Sequence, residues 1–268
     1  MTLPSRLVLL GSPVAHSLSP RFQNAALASA GLPVRYEAID VAPADLDARL
    51  RELVREGAAG NVTIPHKRAV LERCAHATPV ASRAGAVNTF WVEDGALAGD
   101  NTDVPAFAAS ATELLGGRPR GIAIALVGAG GAAAAVAVAA AEWKDATVRV
   151  FARDPVRREA FARRFAPNVT AATTLDAALE GATLVVNATP LGLGDGDPLP
   201  VPIERLPRGA AVFDLVYRRG GTPWVRAARA AGLRAADGLG MLVEQGALAF
   251  ERWFGRAPDR EAMWRAVR

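Results

Sequence analysis

The sequence is poor in residues that form disulfides, bind metals or act as covalent nucleophiles. It contains a single cysteine, Cys74, and three histidines, at positions 16, 66 and 76. One cysteine excludes an internal disulfide framework, and the three histidines lack the spacing of a metal-ligand set. We expect Cys74 to be a packed helix residue rather than a nucleophile. Because the sequence also shows no secretory leader, we expect a cytoplasmic protein.

A strong excess of one charge sign is also missing. The chain has 31 Lys and Arg against 27 Asp and Glu, a formal charge of +4 on 268 residues. A nucleic-acid-binding protein concentrates its basic residues, whereas these are scattered, so nucleic acid is not an expected partner. Hydrophobic residues make up 51% of the chain, which excludes general disorder. We expect small-molecule ligands, no membrane contact, and a monomer or homodimer.

One uncharged run, residues 121–141, has the 21 residues that would span a bilayer. Its content favours a different structure, because it divides into the apolar IAIALV, the glycine-rich GAGGAA and an alanine-rich segment. That succession is typical of a buried strand, a tight turn and a helix.

Short apolar runs alternate with longer amphipathic ones along the chain, which indicates an α/β fold. In the first part, strands are predicted at 6–10, 34–39, 60–64, 86–92 and 96–98, and helices at 20–30, 44–55, 65–73 and 103–115. In the second part, strands are predicted at 122–127, 148–152, 169–171, 184–187 and 211–215, and helices at 130–143, 155–165, 175–179, 240–253 and 259–267. The second series is that of a parallel, doubly wound sheet. GGRPRG, residues 116–121, is the best linker candidate.

The residues Gly128, Ala129, Gly130, Gly131, Ala132 and Ala133 form a G-x-G-x-x-A sequence between a predicted strand and a predicted helix. Gly128 permits a tight turn, Gly130 lets the backbone approach a pyrophosphate, and Ala133 allows close helix–sheet packing. The helix N-terminus offers free N–H groups to phosphates. The pattern predicts dinucleotide binding, the alternative being a glycine turn between core elements.

The end of the next strand bears on which dinucleotide binds. An NAD site would place Asp or Glu there, whereas this chain has Arg153, with Arg157 one helical turn further. A guanidinium can bind a 2′-phosphate through two hydrogen bonds, which favours NADP. Asp154 argues for NAD, since its carboxylate would repel a 2′-phosphate.

Polar residues follow the predicted strands of the first part. Ser17 and Ser19, in HSLSP, precede a helix and form a small cradle for a carboxylate, unless Ser19 only caps that helix. Asn61 and Thr63, in NVTIPHK, point to the same side of a strand, and Lys67 lies at the opening of the next helix. Further polar residues lie in VNT, GDNTD and GMLVEQ, namely Asn88, Asp103 and Gln245.

HSLSP, NVTIPHK, GAVNT, GDNTD, GAGGAA, NATPLG, FDLVY and GMLVEQGALAFERW occur in this order, and with them the chain resembles the shikimate dehydrogenase family. The resemblance runs from about residue 8 to residue 253. It implies an N-terminal α/β substrate-binding domain, a Rossmann-like doubly wound NADP-binding domain, and C-terminal helices that return to the first domain. The expected boundaries are 1–103 with 239–268 for the first domain and 104–238 for the second.

The implied activity is the reversible, NADPH-dependent reduction of 3-dehydroshikimate to shikimate, in aromatic amino-acid biosynthesis. Lys67 and Asp103 are the implied catalytic pair, and Ser17 with Ser19 would hold the substrate carboxylate. The other implied substrate-binding residues are Asn61, Thr63, Asn88, Tyr217 and Gln245. The implied cofactor-binding residues are Gly128 to Ala133, Arg153, Arg157, Thr189, Val216 and Gly238. The family usually has Asn-Arg-Thr where this chain has Ala152-Arg153-Asp154, which weakens the prediction of NADP over NAD.

A lysine beside an aspartate suits this reaction. Hydride reduction of a ketone develops negative charge on oxygen, so a proton donor or a cation must lie next to it. Lys67 supplies both, Asp103 would hold it charged and oriented, and we expect Lys67 to be partly shielded from solvent. A dehydrogenase with different specificity, acting on quinate or an aminoshikimate, is the nearest alternative. A non-catalytic regulator that binds NADP is a more distant one, since both members of the pair are present.

Overall fold

The structure is a computed structural model that describes residues 3–268. The chain divides into two compact units, Met1–Ala106 with Leu242–Arg268, and Phe107–Met241. The first unit is therefore discontinuous in sequence. The two divisions, after residues 106 and 241, each lie three residues beyond the boundaries expected from the sequence, after residues 103 and 238. The binding roles of the two domains remain predictions.

A six-stranded mixed sheet forms the centre of the first unit. Its strands are β1 Leu7–Gly11, β2 Tyr36–Asp40, β3 Ala59–Val62, β4 His76–Ala77, β5 Thr89–Glu93 and β6 Ala96–Asp100. They lie in the order β2-β1-β3-β5-β6-β4, and β5 runs antiparallel to both of its neighbours. The carboxyl ends of β1, β3 and β6 therefore reach the same edge of the sheet.

The second unit contains a six-stranded sheet in which all strands are parallel. Its strands are β7 Ala123–Val127, β8 Thr147–Phe151, β9 Val169–Ala171, β10 Leu184–Asn187, β11 Ala211–Asp214 and β12 Ala235–Ala236. The order is β12-β11-β10-β7-β8-β9. The strand order reverses between β7 and β10, and ligands of doubly wound sheets bind at the carboxyl edge at such a point. The predicted parallel, doubly wound sheet is confirmed.

Helices connect the strands in both units. They are α1 Ser19–Ser29, α2 Leu46–Glu56, α3 Lys67–Leu71, α4 Pro79–Ala84, α5 Asp103–Leu115, α6 Gly131–Ala141, α7 Pro155–Arg164, α8 Leu175–Leu179, α9 Pro223–Ala230, α10 Leu239–Phe254 and α11 Arg260–Arg265. Helix α2 buries Leu46, Leu50 and Leu53, which share one face at a spacing of three and four residues. Helix α6 is apolar all round, and its residues from 133 to 140 are all buried. Burial on every side explains why this helix carries no charge.

Each unit has its own hydrophobic core. Leu10, Leu53 and Phe90 are among the buried residues that pack together in the first unit. In the second unit, Val212 and Trp224 belong to a core cluster, and the Trp224 indole donates to the carbonyl of Val201 at 2.9 Å. Two separate cores agree with the division of the chain into two units.

Several details differ from the sequence expectations. Four short elements, β4, α4, α9 and β12, were not predicted. The GGRPRG segment does not separate the two units but lies within the second, because Phe107 of α5 already packs against Trp143 and Phe213. The uncharged run 121–141 forms β7, a turn and α6, and within residues 3–268 no helix has the length and apolarity to cross a membrane.

Candidate functional site

A turn after β3 places Lys67 at the sheet edge. The His66 side chain is 1% exposed, and its Nε2 lies 2.7 Å from the carbonyl oxygen of Val41. The carbonyl of Lys67 accepts a hydrogen bond from the Val87 N–H at 2.9 Å. The start of α3 is therefore held on two sides, which fixes the point from which the Lys67 side chain extends.

Asp103 begins α5, directly after the end of β6. The Asn101 Oδ1 accepts from the N–H groups of Asp103 and Val104 at 3.1 and 3.3 Å, and its Nδ2 donates to the Ala86 carbonyl at 2.8 Å. Asn101 thus caps the helix and ties its first turn to the neighbouring segment.

The two charged side chains meet. Lys67 Nζ donates to Asp103 Oδ2 at 2.6 Å, and Asn88 Nδ2 lies 2.8 Å from Asp103 Oδ1. The side chains of Lys67 and Asp103 are 25% and 14% exposed, so Lys67 has the partial shielding expected from the sequence. Both carboxylate oxygens of Asp103 have donors, and the Lys67 ammonium group retains two further N–H groups for a ligand.

Asn88 is the centre of a buried amide cluster. Its Oδ1 accepts from the Thr102 N–H at 2.7 Å, and its Nδ2 also lies 3.2 Å from Gln245 Oε1. Asn88 is 1% and Gln245 8% exposed. The structure therefore brings Lys67, Asp103, Asn88 and Gln245 together, although Gln245 is 157 residues from Asn88 along the chain.

Asn61 extends this cluster along β3. Its Nδ2 donates to the Asn88 carbonyl at 3.1 Å, and its Oδ1 accepts from the Tyr36 hydroxyl at 2.8 Å. Tyr36 is fully buried, and desolvation raises the pKa of its phenol well above the ordinary value. Sequence reasoning missed Tyr36, because its role depends on a neighbour that lies on another strand.

Ser17 lies in the loop after β1 and Thr63 in the loop after β3, at the same edge of the sheet, and Ser19 begins α1. Ser17 Oγ accepts from the N–H of Ser19 at 3.2 Å. The alternative that Ser19 caps α1 is wrong, because Ser19 is the first residue of that helix and the bond to its first turn comes from Ser17. The Ser12 N–H donates to the Ile64 carbonyl at 3.0 Å, which joins the two loops.

The glycine turn of the second unit fits a pyrophosphate. Gly128 has φ +110°, and a Cβ there would lie 2.8 Å from the Ala188 carbonyl oxygen, so only glycine is tolerated. A Cβ on Gly130 or Gly131 would meet no atom within 4 Å, so the backbone is open on that side. Helix α6 begins here, and no side-chain hydrogen bond caps its N-terminus. Free N–H groups and open space are what a phosphate group requires.

Arg153 and Arg157 lie after β8 and are both exposed. Within residues 3–268, the Arg153 guanidinium makes no ion pair or hydrogen bond, so it is available to a ligand. Asp154 accepts from the N–H groups of Val156 and Arg157 at the start of α7, and it lies 3.4 Å from the Arg157 side chain. The Asp154 carboxylate therefore caps a helix, and Arg157 lies within ion-pair distance of it.

At the ends of β10 and β11, Asn187 and Asp214 are fully buried and bonded to each other at 2.8 Å. Burial raises the pKa of the Asp214 carboxyl, against the effect of its hydrogen bonds. Asn187 contacts Thr189, and Asp214 Oδ1 accepts from the Val216 N–H at 3.1 Å. Sequence reasoning missed both buried residues, although each lies within a predicted strand, two residues before an implied cofactor residue.

Gly238 and Tyr217 are the two remaining residues of the second unit to which the resemblance gives a role in binding. The Gly238 N–H donates to the Val216 carbonyl at 3.0 Å, and a Cβ on Gly238 would lie 2.3 Å from the Leu215 carbonyl oxygen. Tyr217 also belongs to the second unit, so its implied part in substrate binding stays a prediction.

Cys74 follows α3 rather than lying within a helix, and it is half-buried. Burial raises the pKa of the Cys74 thiol to about 11, which makes it a poor nucleophile at neutral pH. Among residues 3–268, no three His, Cys, Asp or Glu side chains are close enough to share a metal ion.

Comparisons with known proteins identify the family. Residues 9–90 match the sequence model of the shikimate dehydrogenase substrate binding domain, and residues 238–268 match that of the shikimate 5′-dehydrogenase C-terminal domain. The chain is 45% identical over 256 residues to shikimate dehydrogenase (NADP(+)) of Methylocella silvestris, covering 94% of this chain and 91% of the relative. The chain belongs to the shikimate dehydrogenase family.

Solved structures show the same architecture. Shikimate 5-dehydrogenase from Thermus thermophilus, in complex with NADP(H) and shikimate, has a TM-score of 0.86 and 42% identity, with 97% of each chain covered. Quinate dehydrogenase from Corynebacterium glutamicum, in complex with NAD, has a TM-score of 0.89, 30% identity and 97% coverage of each chain. The higher identity is to the enzyme in complex with shikimate and NADP(H).

Proposed function

We propose that this chain catalyses the reversible, NADPH-dependent reduction of 3-dehydroshikimate to shikimate, a step of aromatic amino-acid biosynthesis. The observation that carries the proposal is the Lys67–Asp103 pair, bonded at 2.6 Å and held from the other side by Asn88. A cation with free N–H groups, fixed by a carboxylate, is what the reduction of a ketone requires.

The residues of the second unit fit NADP. Gly128 to Ala133 would hold the pyrophosphate, and Arg153 with Arg157 the 2′-phosphate. Thr189, Val216 and Gly238 would line the remainder of the cofactor site. When bound, NADPH supplies the hydride that reduces the carbonyl carbon.

Lys67 and Asp103 do the proton chemistry in this proposal. The Lys67 ammonium donates a hydrogen bond to the substrate carbonyl oxygen, stabilises the negative charge that develops there, and delivers the proton. Asp103 keeps Lys67 oriented through Oδ2, and Asn88 prevents the carboxylate from turning away. In the oxidative direction, the same pair removes the hydroxyl proton of shikimate.

The remaining residues of the first unit recognise the substrate. Ser17 and Ser19 would bind the carboxylate, since two hydroxyl donors near the start of α1 suit an anion. Asn61, Thr63, Asn88 and Gln245 would bind ring hydroxyls, with Tyr217 as a further contact. Small polar ligands of this kind, and the single cysteine, are consistent with a cytoplasmic enzyme.

A two-by-two activity measurement tests the proposal. Shikimate and quinate are each oxidised with NADP and with NAD, and the reduced nicotinamide is followed by its absorbance. We expect the highest kcat/KM for shikimate with NADP. A higher kcat/KM for quinate with NAD would favour the quinate alternative, and no oxidation of shikimate with either cofactor would contradict the proposed function.

A further inference from the structure

The buried carboxylate of Asp214 stands at the start of a chain of hydrogen bonds that ends at Thr189. Asp214 Oδ1 accepts from Asn187 Nδ2 at 2.8 Å, and Oδ2 accepts from the Thr222 hydroxyl at 2.7 Å. Asp214, Asn187 and Thr222 are each 0% exposed. Because none of these three residues is exposed to solvent, their hydrogen bonds are made to one another and to neighbouring protein groups.

The hydrogen-bond partners of Asn187 allow only one orientation of its side-chain amide. Its Nδ2 lies within hydrogen-bond distance of two acceptors, Asp214 Oδ1 and the carbonyl of Leu191 at 3.1 Å. Turning the amide over would place its carbonyl oxygen against those two acceptors and its NH₂ against the Thr189 N–H. Asn187 Oδ1 must therefore face Thr189.

This orientation fixes the direction of the Thr189 hydroxyl. Thr189 Oγ1 lies 2.6 Å from Asn187 Oδ1, so the hydroxyl proton points inward. The Leu191 N–H donates to Thr189 Oγ1 at 3.2 Å, which occupies one lone pair. Thr189 is half-buried, and toward a ligand it can act as a hydrogen-bond acceptor alone.

We propose that Asp214 and Asn187 are positioning residues that present the Thr189 hydroxyl as an acceptor for a hydrogen-bond donor on the nicotinamide half of NADP. Thr189 follows β10, the strand across the switch point from β7 and β8, and the second half of a dinucleotide binds on that side of a doubly wound sheet. The nicotinamide carboxamide NH₂ and the hydroxyls of its ribose are donors of the required kind. The inference rests on the proposed function, because it concerns the same cofactor.

The Asp214 carboxylate also fixes the loop that follows β11. Asp214 Oδ1 also accepts from the Val216 N–H, and Val216 is itself an implied cofactor residue. One buried group thereby sets both loops that follow β10 and β11. We expect loss of that group to displace both loops.

Dissociation constants of two ligands test the inference, NADP⁺ and adenosine 2′,5′-bisphosphate, which lacks the nicotinamide half. Calorimetry is done on the full chain and on Thr189→Val, Asp214→Leu and Asp214→Asn. We expect Thr189→Val and Asp214→Leu each to raise the Kd of NADP⁺ about tenfold and to change that of the bisphosphate less than twofold. Asp214→Asn can still accept from Asn187, so it should restore the Kd of NADP⁺ to within about threefold of the parent. The variant with both Thr189→Val and Asp214→Leu should lose little more than either single variant.

Equal weakening of both ligands by Asp214→Leu would overturn the inference, since it would indicate general damage to the second unit. An unchanged Kd of NADP⁺ in Thr189→Val would overturn it as well. If Asp214→Leu does not fold, Thr222→Val replaces it, because it removes one donor from the carboxylate and should act selectively in the same direction, about threefold. Failure of the unsubstituted chain to bind NADP⁺ would contradict the proposed function instead.

Discussion

Lys67 and Asp103 lie 36 residues apart in sequence, and their charged atoms are bonded at 2.6 Å. The backbone at each residue is held by its own hydrogen bond, so the positions from which the two side chains extend are fixed. The Lys67 carbonyl is bonded to Val87 and the Asp103 N–H to Asn101. The pair is thus set in position before any substrate arrives, which is the condition for efficient proton transfer.

Replacing Lys67 by alanine should lower kcat by about 10²–10⁴-fold, because the proton donor and the positive charge are both removed. The Kd of shikimate should change less than about threefold, since the other polar residues of the site remain. Steady-state kinetics and calorimetry measure the two effects. Arg68→Ala is the matched control, as Arg68 is the next residue and its side chain is 84% exposed. An unchanged kcat in Lys67→Ala would exclude the proposed role.

Asn88→Ala should lower both stability and activity. The substitution leaves the Thr102 N–H and Asp103 Oδ1 without their buried partner, which costs about 3 kcal/mol of unfolding free energy. We expect kcat to fall as well, since Asp103 loses its second anchor. Urea denaturation followed by circular dichroism, together with steady-state kinetics, measures the change. Stability equal to that of the parent would show that the amide cluster is not a structural element.

Arg153→Ala should raise the KM of NADP about 10–100-fold and leave that of NAD nearly unchanged, because only NADP carries the 2′-phosphate. Arg157→Ala should have a smaller effect, since Arg157 is 80% exposed and already lies 3.4 Å from Asp154. Initial rates with each cofactor measure both variants. A rise in KM of equal size for NADP and NAD would argue against the assignment of Arg153 to the 2′-phosphate.

The ion pair between Arg252 and Asp100 should contribute more to stability than an ordinary surface pair. Arg252 Nη2 lies 2.7 Å from Asp100 Oδ2, the Asp100 side chain is 12% exposed, and the Arg252 guanidinium lies 5.3 Å from the centre of the Trp91 ring. We expect Arg252→Ala to lower the unfolding free energy by about 1–2 kcal/mol.

Arg68→Ala serves as the control here too, because it breaks an exposed pair with Glu72. Its effect should stay below about 0.5 kcal/mol. The two variants are compared by urea denaturation under the same conditions. Equal losses would show that burial of Asp100 adds nothing to the Arg252 pair.

The Cys74 thiol should react slowly in the folded protein. Its pKa is raised from 9.0 to about 11 by burial, so the reactive thiolate is scarce at pH 8. Iodoacetamide labelling should therefore be far slower in buffer than in urea, with mass spectrometry as the readout. Equal labelling rates in the two solutions would contradict the burial.

The same shift has a consequence for stability. The folded state holds the Cys74 proton more tightly than the unfolded state, so this contribution to stability is present below pH 9 and is lost as the pH rises toward 11. Cys74→Ser should lack that part of the alkaline decline in the free energy of unfolding.

The sequence predicted the α/β architecture because strand and helix periodicity is a local property. The strand at 169–171 and the helices at 103–115 and 175–179 have the observed bounds. The helices α4 and α9 were missed because they have only six and eight residues. Each begins with a capping threonine followed by proline, Thr78-Pro79 and Thr222-Pro223, and that signal could have located them.

The site was less accessible to sequence reasoning than the fold. Motif residues such as Lys67 and Asp103 were identified, but the buried groups that hold the site were not. Tyr36 contributes through a bond to Asn61 on a different strand, and Asp214 through a bond to Asn187, 27 residues away. Whether a polar residue is buried beside another depends on the tertiary fold, and no local pattern in the sequence reveals it.

The first unit is made of two segments separated by the whole of Phe107–Met241, and this has a consequence for synthesis on the ribosome. Gln245, Arg252 and Trp253, which bind Asn88, Asp100 and the Phe90 carbonyl, are translated more than 150 residues after their partners. The second unit can fold while the chain is still growing, whereas the amide cluster of Asn88, Asp103 and Gln245 forms only after α10 has been made. A nascent chain stopped before residue 242 would therefore carry a complete second unit but lack Gln245, the partner of Asn88 beside Asp103.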